Sequence, residues 1–216
     1  MVGYQKNKLI INLLRLSALI WCPAAVYSYY PLSNLFNFHA VSLSILIFVL
    51  VCSYIEASAA RYSGGNEKQQ HQRYHKYGMI ISVFISIVGV IFMLKRRFDQ
   101  KKGILFIDRS PTTHSSFGLL WICLMFISSS SGWLTHSDEK ELSGIGLSIL
   151  KFLGMNNNIK KGKLVMKRYH RNFSFISLTT VFVASALGLY KSKRVILSYS
   201  LGFIYFLMCL HSSLFS

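Results

Sequence analysis

The chain has 216 residues, 52% apolar and 14% charged, with a formal net charge of +17. In a soluble protein that charge would point to nucleic acid. Here the apolar residues gather into six runs close to the ~20 residues that cross ~30 Å of hydrocarbon, so a soluble nucleic-acid-binding fold is excluded. Little chain remains for a soluble domain, and residues 1–216 read as a single all-α integral membrane domain, a six-helix bundle.

In chain order, the first span is expected over 9–30. Lys6 and Lys8 ahead of an apolar run, with Pro23, Ala24 and Ala25 after it, also fit a cleavable signal peptide. The run continues through Val26 to Tyr30 and ends in aromatics suited to a membrane interface, which favours an uncleaved span. The second and third spans are expected over 39–60 and 76–94, with Glu56 a lone carboxylate near the end of the second. The fourth is expected over 114–135. Ser137 can then cap a helix over about 138–154, whose first turn holds Asp138, Glu139 and Glu141. Leu142, Ile145, Ile149, Phe152 and Leu153 recur at helical spacing before Gly154, the pattern of an amphipathic helix lying on the membrane surface. A polar linker, NNNIKKGK, leads to spans over 170–190 and 195–214.

An even number of spans puts both termini on one side, together with segments 61–76 and 136–171. That side carries fourteen Lys and Arg against nine on the other, so the positive-inside rule assigns both termini to the cytosol. Cys22, Cys52, Cys123 and Cys209 all fall inside spans without CxxC spacing, which indicates neither a disulfide framework nor a zinc site.

His39, His75, His114 and His170 each stand near the first residue of a different span. Because successive spans alternate in direction, His39 and His114 share the non-cytosolic side, while His75 and His170 share the cytosolic side. Each pair comes from two helices, as required for two imidazoles to approach opposite faces of one haem. Histidine is also an ordinary interfacial residue, and it is the joint pattern that favours two bis-histidine haem sites, one near each membrane face. Of the remainder, His71 and His136 lie in polar stretches and are expected to be solvated, and His211 is expected to pack or snorkel. His71, four residues before His75, would share its helical face if the third helix began early.

The sequence resembles the cytochrome b-561 family of ascorbate-dependent transmembrane oxidoreductases, and looks closest to its short members without appended modules. The resemblance covers roughly residues 10–214 and rests on FNFHAV at 36–41, RYHKYG at 73–78, THSSFGLLW at 113–121, and KRYH at 167–170 followed by SALGL at 185–189. Ala40 stands where the family usually has Pro, and YIEASAARY is only loosely like the family's apolar run ending in Tyr-Arg. The resemblance implies two b-type haems per chain, with His75 and His170 holding the cytosolic one and His39 and His114 the other. It also implies electron transfer from cytosolic ascorbate to monodehydroascorbate or ferric iron on the far side, and often a homodimer.

Ascorbate is a monoanion, so its site should be cationic. Arg73, Lys167 and Arg168, just before the two cytosolic ligands, are the candidates, with anchoring to anionic lipid as the alternative. Arg109, Lys101 and Lys102 are the candidates on the acceptor side. There is no GxGxxG, P-loop, HExxH or nucleophile elbow, so nucleotide binding and hydrolysis lack a site. A membrane subunit that holds or has lost haem is the second reading, and a small-solute transporter the third, disfavoured by the near absence of carboxylates in the spans. The expected location is an endomembrane, such as a vesicle, the endoplasmic reticulum or a lysosome-like compartment, or the plasma membrane.

Overall fold

A computed structural model describes residues 2–100, 113–136, 144–153 and 158–215. They form seven helices, α1 Val2–Tyr27, α2 Leu35–Tyr62, α3 Gly65–Asp99, α4 Thr113–His136, α5 Gly144–Leu153, α6 Ile159–Lys191 and α7 Val195–Phe215, with no strand among the described residues. All but α5 contain a stretch long and apolar enough to cross a membrane, which makes this an all-α multi-pass membrane protein with six spans.

The helices divide between two compact units, one of residues 1–114 and 184–216, the other of residues 115–183. In the first, α1 buries Leu14, Ala18, Trp21 and Ala25, and α7 buries Leu201, Ile204, Met208 and His211. Both sets recur at three- and four-residue steps, the repeat of one helical face. The opposite face of α1 presents Leu9, Leu13, Leu16, Leu19 and Ile20, apolar residues that suit lipid. The Trp21 indole donates to the Leu197 carbonyl at 3.1 Å, fixing α1 against the start of α7.

Helix α2 begins at Asn34, whose side chain accepts from the Asn37 N–H at 3.0 Å. It ends at Ser63, and the chain reverses into α3 through Gly65, whose φ of +50° would strain any residue with a Cβ. The return is close because α3 buries only Ser82, Ser86 and Gly89, with Gly78 meeting Ser53 one turn earlier. Small residues along one stripe let two membrane helices approach without large side chains between them.

In the second unit, α5 turns Leu147, Leu150 and Leu153 onto Leu134 of α4 and Met166 of α6, while Ile149 and Phe152 face outward. Gly162 of α6 lies directly against the Leu150 backbone, where a side chain would collide. Leu147 and Leu150 are thus the α5 residues that pack within the unit, while Ile149 and Phe152 belong to its outward apolar face. The expected cap at Ser137 and the acidic turn after it lie outside the described residues.

Helices α3 and α6 are longer than their apolar cores, at 35 and 33 residues. His75 and His170 consequently stand ten and eleven residues inside their helices rather than at the first turn. The preceding segments are polar but contain no proline, and the helical backbone continues through them.

Candidate functional site

The four histidines share one feature. In each, Nδ1 meets a backbone carbonyl of another helix: His39 with Gly89 at 2.8 Å, His75 with Ser53 at 3.0 Å, His114 with Ala184 at 2.7 Å, and His170 with Ser128 at 3.0 Å. A carbonyl only accepts, so Nδ1 carries the proton and donates. The neutral ring then has its lone pair on Nε2, and that tautomer is the one that ligates a metal through Nε2.

Glycine shapes two of these seats. A Cβ at Gly188 would lie 2.9 Å from Cε1 of His114, and one at Gly132 would lie 2.8 Å from Cε1 of His170. In both cases the accepting carbonyl belongs to the residue four positions earlier, Ala184 or Ser128, so the missing side chain opens the way to the carbonyl. Gly89 itself accepts from His39, with Nδ1 3.9 Å from its would-be Cβ. At His75 the carbonyl comes from Ser53, and the next turn of α2 carries the small residue Ala57. These glycines and the carbonyls seat the histidine rings, and the sequence reading passed over them. The visible signal was glycine in otherwise apolar spans, and SALGL contains Gly188.

Within the first unit, His39 and His114 line one cavity, together with Trp21, Tyr29, Phe36 and Leu43. Neither ring has a recorded hydrogen-bond partner at Nε2 among the described residues. The residues present therefore supply, on one cavity, the two imidazoles that a planar metal-bearing ligand would need. His75 belongs to the first unit and His170 to the second, and each is held within its own unit by the carbonyl named above.

The other histidines differ. His71 is not simply solvated: its Nδ1 donates to Glu56 Oε2 at 2.7 Å. Once α3 begins at Gly65, residue 71 is carried back along α2 to the level of Glu56. His211 is buried rather than snorkelling, and both its nitrogens are engaged. Tyr54 donates to the Met208 carbonyl at 3.1 Å, so Nδ1 of His211 donates to the Tyr54 oxygen at 2.9 Å and Nε2 accepts from Ser58 at 3.2 Å. That ring is a structural link between α2 and α7. His136 is the last residue of α4.

Arg73, Lys167 and Arg168 are exposed on the polar N-terminal parts of α3 and α6. Lys101, Lys102 and Arg109 lie outside the described residues. The chain matches no protein-family model and no curated relative.

Proposed function

We propose that this protein is a transmembrane electron-transfer enzyme that takes electrons from cytosolic ascorbate and delivers them to ferric iron or monodehydroascorbate on the other side, with two b-type haems as cofactors. The observation that carries the reading is the common seat of the four histidines, each donating from Nδ1 to a carbonyl of another helix, which leaves the lone pair of the neutral ring on Nε2. Haem, when bound, supplies reversible one-electron chemistry at iron.

The chain's own residues hold, orient and recognise. His39 and His114 would hold one haem in the cavity they line, and the carbonyl bonds fix both rings against rotation. The pairing of His75 with His170 rests on span parity and on the resemblance to the b-561 family. Exposed Arg73, Lys167 and Arg168 near that pair would attract an anionic donor, each as a charge at a membrane surface.

The test is the visible spectrum of the purified protein before and after ascorbate and dithionite. Two haems per chain with ascorbate reduction are expected. Haem that only dithionite reduces would favour a haem-holding membrane subunit, and a protein that takes up no haem would end the proposal.

A further inference from the structure

The cavity lined by His39 and His114 has arginines stacked on its aromatic lining. Two of its lining rings, Tyr29 and Phe36, meet edge to face with centroids 6.1 Å apart. Each has a guanidinium over its face, Arg194 at 3.8 Å from the Tyr29 centroid and Arg96 at 4.9 Å from that of Phe36. The two arginines are differently employed. Arg194 donates from Nε to the carbonyl and hydroxyl of Ser28, and from its terminal nitrogens to the carbonyls of Ser192 and Ser28, so it ties the α6–α7 turn to the end of α1. Arg96 makes no hydrogen bond or ion pair among the described residues. It is half-buried at the end of α3.

A guanidinium cannot lose its charge, and its planar fork matches a carboxylate with two parallel hydrogen bonds. Stacking on Phe36 holds one face of that fork and leaves its edge for a partner. Arg96 also lies in the last turn of α3, where a cation complements the helix dipole. That role needs only charge, whereas a carboxylate partner needs the fork as well.

We propose that Arg96 is the anion anchor of this cavity and binds a carboxylate of its occupant. This rests on the haem reading above, in which the carboxylate is a propionate of haem b. The anchor would fix the rotation of the porphyrin about the axis through His39 and His114, which the two imidazoles leave undetermined.

Esterified haem tests this directly. The haem-free full-length protein is titrated with haem b and with its dimethyl ester, which keeps the iron and ring but loses both carboxylates. The absorbance change that His39→Ala abolishes marks this site. The wild type is expected to bind the ester there about tenfold more weakly than haem, the weight of one hydrogen bond to a charged group. Arg96→Gln should bind both alike, near the wild type's affinity for the ester, and Arg96→Lys should recover part of the preference. Equal binding of haem and ester by the wild type would overturn the anchor while leaving the haem reading intact, and that comparison needs no variant at residue 96. A preference that survives in Arg96→Gln would overturn it too. Uptake of neither compound would remove the haem reading and the anchor with it.

Discussion

A histidine that offers Nε2 to a metal must be prevented from turning the ring over or moving the proton to the other nitrogen. The carbonyls of Gly89, Ser53, Ala184 and Ser128 do both, because each can only accept. His39→Ala and His114→Ala should therefore abolish the same haem absorbance, and His75→Ala and His170→Ala a different one, measured as bound haem per chain. The glycine seats permit a finer test. In Gly188→Ala the new methyl would stand 2.9 Å from His114 Cε1 and 3.2 Å from its Nδ1, so the ring must move off the Ala184 carbonyl. Haem affinity should fall by roughly 10-fold or more, as for other changes behind a metal ligand. Gly118→Ala adds the same methyl with no atom within 4 Å and should leave binding unchanged. The His114 absorbance signal in the two variants decides the matter.

The spans and the four histidines were legible in the sequence because hydropathy and position are local properties. What each ring touches was not. Whether His71 meets water or Glu56 depends on how far α3 extends beyond its apolar core, and the residues at 65–75 are neutral on that question. The partners of His211 likewise depend on the register of α7 against α2, which no local pattern encodes. Which apolar residues of α5 pack inward was not legible either, because Leu147 and Ile149 are both apolar, and only the neighbours Leu134 and Met166 choose between them. The Tyr54–His211–Ser58 chain gives this register an energetic consequence. Tyr54→Phe removes the bonds to Met208 and His211, leaving a buried ring nitrogen without its acceptor. Hydrogen bonds between membrane helices contribute about 0.6 kcal/mol on average and up to ~1.7. Tyr54→Phe is therefore expected to lower stability by about 1 kcal/mol in detergent unfolding, with haem content unaltered in the folded fraction.

For the whole molecule, function depends on direction, and direction depends on which face meets the cytosol. If Arg73 and Lys167 recognise the donor, Arg73→Gln and Lys167→Gln should raise the KM for ascorbate several-fold, while reduction by dithionite stays as in the wild type. That outcome identifies the donor face but not its compartment. Only the distribution of cations bears on the compartment: fourteen Lys and Arg accompany the termini and nine lie opposite. Single-cysteine variants can decide it. With Cys22, Cys52, Cys123 and Cys209 replaced by serine, Gly3→Cys and Ser216→Cys report on the termini, and Lys101→Cys on the segment between α3 and α4. In sealed vesicles with their cytosolic face outward, an impermeant maleimide should label the two terminal thiols at once and the thiol at 101 only after detergent. The opposite labelling would put Arg73 and Lys167 outside the cytosol and reverse the proposed donor and acceptor sides, although the histidine seats would be unaffected. Labelling of one terminus alone would contradict six spans, since only an even number returns the chain to the side on which it began.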